Sequence, residues 1–289
     1  MLKAGQPGWG EGLNGVTRTE QAVADVLVDV LGALALLFVT FVSYRARATD
    51  LWGSVSGYLI GLAIALSAGW AWLYVLLSFL ISGSLVTKYR YVYKESIHAA
   101  EEKGGARGVK NVMANGGVAT ALALAYGLWR ASFLPYMFVS ALASSTADTF
   151  ATEIGLLSRS APVLIHRPSR KVQPGVSGGV TTLGEVAAML GSLCISIVSS
   201  LVGLTTLSPH SLAITSLAGF VGCNVDSLIG GVAQALRRCP VCGSLTEKRT
   251  HCGASAQKVK GFGFLGNNLV NLISSASAAL AAALLLSVA

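Results

Sequence analysis

Eight apolar stretches, each close to the roughly 20 residues a helix needs to cross hydrocarbon, constrain this chain more than any other feature. They run from Val26 to Ser43, Leu51 to Ser67, Trp70 to Val86, Val112 to Trp129, Ser132 to Phe150, Leu183 to Leu204, Ser211 to Leu236 and Phe262 to Val288. The second and third are short and nearly continuous, so a count of seven stays open. Charge closes off the soluble alternative. Only 12% of the residues are charged and 53% are apolar, whereas an ordinary soluble domain carries roughly 25% charge. A globule so poor in charge has nothing to cover its surface with, and disorder or a disulfide scaffold fails for the same reason. The expected fold class is an all-α polytopic integral membrane helix bundle. Residues 1–289 then form a single membrane domain.

Lys and Arg number 21 against 13 Asp and Glu, an excess of eight. Such an excess suits either nucleic acid or an anionic leaflet, and its placement decides. If the loop from Lys88 to Lys110 faces the cytoplasm, alternate connections join it there. That side then holds the basic residues of 45–47, 88–110, 159–171 and 237–260, which are 18 of the 21. Only Lys3, Arg18 and Arg130 stay opposite. The positive-inside rule therefore places these loops in the cytoplasm and both termini outside. Topology accounts for the charge, and nucleic acid is not an expected partner. Residues 1–21 are polar and Gly-rich, without a basic segment running into a short apolar core. They read as a loose extracytoplasmic lead-in and not a cleaved signal.

Polar residues inside spanning helices cost about 2.5–3.5 kcal/mol for an Asp at the centre, and here they gather at the cytoplasmic ends of helices four to eight. The outward ends carry nothing comparable. Asn111 and Asn115 are four apart on one helix face; they serve a site or glue a neighbouring helix. Asp148 and Thr152 share a face, with Thr149 and Glu153 on the adjacent one. Two carboxylates within about 7.5 Å of rise suit a hard divalent cation, against the simpler reading of a wet helix end. Gln173 to Gly179 holds Ser177, Gly178 and Gly179 ahead of a helix start, where free N–H groups and close backbone approach suit phosphate. Arg167, Arg170 and Lys171 lie just upstream. A Thr182–Glu185 capping box would give Glu185 a purely structural task. Asp226, with Asn224 beside it, lies roughly 15 Å from the inner helix end by rise per residue. An ionisable group at that depth is a site residue by default. Asn267, Asn268 and Asn271 open the last helix. A faint repeat pairs Asn115-Gly116-Gly117 with Ser177-Gly178-Gly179, as in a duplicated helix pair.

Cys194 and Cys223 lie in spanning segments and read as small buried residues. Within the 237–260 loop, Cys239-Pro240-Val241-Cys242-Gly243 has the form of a zinc knuckle, and His251-Cys252-Gly253 follows nine residues on. Three Cys and one His make a tetrahedral set for structural Zn²⁺. Adjacent His and Cys rarely reach one ion, so a disulfide or free thiols stay open.

Five segments, "RGVKNVMANGGVAT", "SSTADTFATEIGLLS", "VQPGVSGGVTTLGEVAAMLGS", "GFVGCNVDSLIGG" and "GFGFLGNNLVNLISS", together resemble the Transmembrane protein 19 family. Plant and cyanobacterial relatives in that family include the phytyl-phosphate kinase of tocopherol synthesis. The resemblance implies transfer of a phosphoryl group from a nucleoside triphosphate, CTP preferred, to an isoprenoid monophosphate. It places site roles on Asn115, Asp148, Glu153, Ser177, Gly178, Gly179, Glu185, Asn224, Asp226 and Asn268, with the knuckle as an accessory. The residues themselves are compatible with this chemistry. Mg²⁺ would be held by Asp148, Asp226 and Glu153, nucleotide phosphates by the Ser177 loop with Arg170 and Lys171, and the acceptor phosphate is already an anionic nucleophile. A lipid cytidylyltransferase would use the same parts. A transporter for a cation or an anionic substrate also suits buried Asp and Asn on Gly-broken helices, although the polar residues have no matching half outside.

Overall fold

The most polar of the long helices sits at the centre of the bundle. The structure, a computed structural model, describes residues 18–97, 99, 102–243, 245–246 and 249–288. Most of the lead-in expected over 1–21 thus lies outside the described residues, and its last four residues are already helical. The long helices are α1 (Arg18–Arg45), α2 (Leu51–Ala68), α3 (Trp70–Lys88), α5 (Val109–Trp129), α6 (Leu134–Gly155), α7 (Thr182–Leu201), α8 (Pro209–Val232) and α9 (Asn267–Ser287). A six-residue helix, α4 (Tyr91–Ser96), lies between α3 and α5. Among the described residues, seven of the long helices are apolar and long enough to span a membrane. The exception is α6. The second and third stretches remain separate helices, because Gly69 takes φ +105° between them.

The sequence of α6 explains its position. Ser144 and Ser145 need partners that lipid lacks, and this helix packs against α3, α5, α7, α8 and α9. Its residues from Phe138 to Ala147 are all buried. Ser144 meets Ser274 at 2.9 Å, and Ser145 meets Ser275 at 3.2 Å. Small residues permit this approach: a Cβ on Gly222 would collide with Ser144 and Ala278. On the other side of α6, Phe138 packs its ring 4.6 Å from that of Trp72. At the other extreme, α1 leans on α2 and leaves Phe38 and Phe41 exposed.

The connections are not purely helical. Strands β1 (Val163–Leu164), β2 (Arg167–Lys171) and β3 (Gly179–Val180) form an antiparallel sheet before α7. Between α8 and α9, β4 (Leu236–Arg238), β5 (Leu245–Thr246) and β8 (Gln257–Lys260) form a second sheet, and β6 (Thr250–His251) pairs with β7 (Ala254–Ser255). These segments are too polar and too punctuated by Gly and Pro for helices, and strand pairing satisfies their backbone groups. The two Gly-Gly matches sit differently, since Asn115–Gly117 lies within α5 whereas Ser177–Gly179 precedes α7.

Candidate active site

Three carboxylates from three helices lie around one buried thiol near the sheet-bearing end of the bundle. Asp148 comes from α6, Glu185 from α7 and Asp226 from α8, and all three lie within electrostatic reach of the Cys223 thiol. Asp226 is only 8% exposed. It is shallower than expected: α8 stops at Val232 and Leu236 already pairs with Lys260 in β4–β8. Six residues of rise put Asp226 about 9 Å from the helix end. Gly230 and Gly231, in the last turn of α8, meet Gly178 of the facing loop at close quarters.

Amides flank these acids. Asn224 neighbours Glu185, and its Nδ2 donates to the Phe220 carbonyl at 3.0 Å. The Asn271 amide lies between Asn115 and Asp226. In one orientation its Nδ2 donates to Asn115 Oδ1 at 3.3 Å. In the other, Nδ2 donates to Asp226 Oδ2 at 3.2 Å and to the Asn267 carbonyl at 3.0 Å, which satisfies both ends of the group. Asn115 in turn donates to the Asn111 carbonyl at 3.0 Å, so the shared helix face expected for this pair is present. Asn268, expected to serve the site, is exposed instead. The helical phase turns Asn271 inward and leaves Asn268 outside.

Glu153 stands apart from the expected metal set. Its Oε2 lies 2.6 Å from Lys94 Nζ, and the two side chains are 4% and 0% exposed. Lys94 also donates to the carbonyls of Val86 at 2.7 Å and Thr87 at 3.2 Å. These are last-turn carbonyls of α3, where a cation is favoured. A buried ammonium is costly unless it is paired, and Glu153 provides that pairing. Sequence reading placed Lys94 among solvated loop charges; nothing local marks it as buried.

The glycine loop also differs from expectation. The α7 N-cap is Thr181, whose Oγ1 accepts from Gly184 N at 3.0 Å. The Thr182–Glu185 box is therefore displaced by one residue, and Glu185 is released to meet Asn224. Gly178 has φ +77° and packs on Gly231, and Gly179 pairs with Leu164 in β3. Close packing accounts for both glycines, and β3 separates the loop from the helix start. Replacing Gly178 with Ala is expected to cost about 2–4 kcal/mol, from the left-handed backbone together with the collision. A thermal melt in detergent checks this. Ser177 is half-buried beside Gly230. Arg170 and Lys171 lie on the exposed strand β2. Arg170 faces Lys260, whose Nζ donates to the Gly231 carbonyl at 2.7 Å. Burial, then the neighbouring Arg170 charge, press the Lys260 ammonium below its usual range.

An apolar cleft reaches the amide chain from the side. It lies between α1, α2, α3 and α5 and is narrow, with room for only about 70 Å³, well below the roughly 300–1,000 Å³ of small-ligand sites. Leu36, Ile60, Leu73 and Leu80 line it, and Arg107, Asn111 and Asn115 close one end. The Arg107 guanidinium lies 4.9 Å from the centre of the Phe79 ring. Its backbone is fixed by Arg107 N donating to the Ala48 carbonyl at 3.0 Å and Asp50 N donating to the Arg107 carbonyl at 3.1 Å. Sequence reading counted Arg107 only as a topological charge.

Polarity at the opposite end is greater than expected. Ser199 and Thr205 meet at 2.8 Å, and Tyr136 reaches Ser211 at 3.3 Å. One-sidedness therefore holds for the acids and amides of the site, whereas these hydroxyls satisfy one another at the α7–α8 turn.

Fold and site together define a polytopic membrane protein with a carboxylate–amide centre at one end of its bundle. The chain belongs to the family of integral membrane protein DUF92, which matches residues 34–279. This agrees with the Transmembrane protein 19 resemblance. Among its relatives, Protein PGR of Arabidopsis thaliana is 29% identical over 259 residues, covering 82% of this chain and 88% of that one. Uncharacterized membrane protein MJ0933 of Methanocaldococcus jannaschii is 29% identical over 216 residues, with 72% and 87% covered. Protein VTE6, chloroplastic, of Arabidopsis thaliana is 25% identical over 280 residues, covering 94% of this chain and 70% of its own length. No solved structure matches.

Proposed function

We propose that this protein is a membrane phosphotransferase that converts an isoprenoid monophosphate to its diphosphate at the cytoplasmic face. CTP is the favoured donor and ATP the alternative. One observation carries the reading: Asp148, Glu185 and Asp226, from three helices, all lie within electrostatic reach of one buried thiol, and Asn271 beside Asp226 neighbours the Asn115 that lines an apolar cleft. The shared sequence blocks of a family that includes a phytyl-phosphate kinase support it.

The residues divide the task. The cleft takes the prenyl chain only as the loosely packed α1 moves aside, which also opens lateral entry from lipid. Arg107, Asn111 and Asn115 hold the acceptor phosphate. Asp148 and Asp226, an all-oxygen donor set, fit Mg²⁺, which would supply charge neutralisation between phosphates. Glu185 lies beside Asn224. Arg170, Lys171 and Ser177 line the approach for the nucleotide phosphates. An anionic phosphate oxygen attacks the γ-phosphorus while the bond to the β-phosphate oxygen breaks and the nucleoside diphosphate departs. The nucleophile needs no general base, so positioning and electrostatics suffice.

Purified protein, γ-labelled CTP or ATP, Mg²⁺ and phytyl, farnesyl or geranylgeranyl monophosphate test this directly. Label should appear in the isoprenoid diphosphate. Label released as pyrophosphate, with an α-label retained in lipid, would identify a cytidylyltransferase instead. No transfer and no nucleotide binding would refute the enzyme reading and direct attention to flux assays in liposomes. Replacing Arg107 with Ala should raise the KM for the isoprenoid phosphate about 10- to 100-fold, the value of a charge-assisted hydrogen bond. The KM for the nucleotide should stay unchanged. Lys should rescue it only in part, since it lacks the planar fork.

A further inference from the structure

We infer that the insertion between α8 and α9 is a structural zinc site, with Cys239, Cys242, Cys252 and His251 Nδ1 as its four ligands, and that the ion holds Lys260 against the end of α8. The ligand atoms all lie within 4.8 Å of one another. Cys242 Sγ is 3.5 Å from His251 Nδ1, and Cys252 Sγ is 3.3 Å from it. Tetrahedral Zn²⁺ with sulfur at about 2.3 Å and nitrogen at about 2.0–2.1 Å spaces its ligands roughly 3.5–3.8 Å apart. The four groups need only small movements to close on an ion.

The backbone answers the objection that neighbouring residues cannot share one ion. On an extended strand, His251 and Cys252 would point to opposite faces. Here Cys252 adopts φ +50° and Gly253 φ +74° at the turn between β6 and β7. The turn carries Cys252 Sγ to the side of His251 Nδ1. A left-handed backbone is uncommon at a residue other than glycine, and it delivers the fourth ligand. The other half is built the same way: Gly243 has φ +73° and its N–H donates to the Cys239 carbonyl at 3.0 Å, which folds Cys239 and Cys242 toward each other.

The insertion needs such a staple. Its strands are two to four residues long. Its buried apolar side chains are few, chiefly Leu236, Cys239 and Ala256, and so small a core supplies little folding energy. The segment nevertheless sets the geometry of the site's rim. Strand β8 pairs with β4 through Arg237–Lys258 and Leu236–Lys260, and Lys260 then caps the Gly231 carbonyl beside Arg170. Metal binding to the knuckles thus fixes a cation at the C-terminal end of the helix that carries Asp226. The inference does not depend on the phosphotransferase reading.

The test uses the full chain in detergent. Elemental analysis should give one zinc per chain, released by a mercurial thiol reagent and detected with a chromophoric zinc indicator. Cys239→Ser and Cys242→Ser should each lower the content at least tenfold, and Cys194→Ser should leave it unchanged. Because a ligand variant can fail to fold, cobalt exchange into the unaltered chain gives a second readout: thiolate-to-cobalt absorption with tetrahedral d–d bands. A native disulfide among these cysteines, or a zinc-free folded protein that gives no tetrahedral cobalt spectrum, would overturn the site. Hydrogen exchange over 236–260 should accelerate at least tenfold after chelation. Unchanged protection would overturn the anchoring of Lys260.

Discussion

Asp226→Asn is expected to lower phosphoryl transfer at least about 100- to 1,000-fold, the loss typical when one preorganised charge-stabilising group is removed, with the thermal midpoint nearly unmoved. The two outcomes separate because Asn keeps the shape of Asp. Its amide oxygen still accepts from Asn271 Nδ2, which now lies 3.2 Å from Asp226 Oδ2, so the buried hydrogen bond survives and only the charge is lost. Asp148→Asn should behave alike, since its carboxylate enters the same cluster from α6. EDTA should stop transfer, and added Mg²⁺ should restore it. Initial rates and a melt on the same preparation read both arms. Full activity in either variant would remove that residue from the metal set. Activity without any divalent ion would remove the metal altogether.

How far this site was legible in the sequence varies with the range of the interaction. The spanning stretches follow from apolar length, and the clustering of Asp148, Glu185, Asn224 and Asp226 follows from placing them on alternating helices. The knuckle spacing of Cys239 and Cys242 is likewise local. What escaped depends on phase or on distant partners. One residue of shift at the α7 start makes Thr181 the cap and frees Glu185. Three residues of phase on α9 make Asn271 the inward amide in place of Asn268. Gly178, some fifty positions upstream, packs against Gly231 and Ser227 on the flank of α8, a contact no local pattern announces. Arg107 looks like a loop cation until the packing of α2, α3 and α5 draws it over Phe79.

The Lys94–Glu153 pair is the extreme case, separated by 59 positions, and it carries the second large prediction. Lys94→Met is expected to destabilise the protein by about 3–5 kcal/mol, because it leaves Glu153 charged in a buried position. At roughly 2–4 °C per kcal/mol, the thermal midpoint should fall on the order of 10 °C. Glu153→Gln should cost a similar amount, since the Gln amide oxygen and the carbonyls of Val86 and Thr87 are neutral acceptors and the buried ammonium loses its counter-charge. The double variant Lys94→Met/Glu153→Leu should recover most of the loss, since well-packed apolar residues often replace a buried pair at no net cost. A melt series on the unaltered protein, Lys94→Met, Glu153→Leu and the double variant gives the coupling energy directly. Additive losses in the double variant would show that the pair acts as two independent charges. Recovery of stability with retained transfer would assign Glu153 to holding α4 and α3 against α6. Recovery of stability with transfer lost would return Glu153 to the chemistry, beside Asp148 and Asp226.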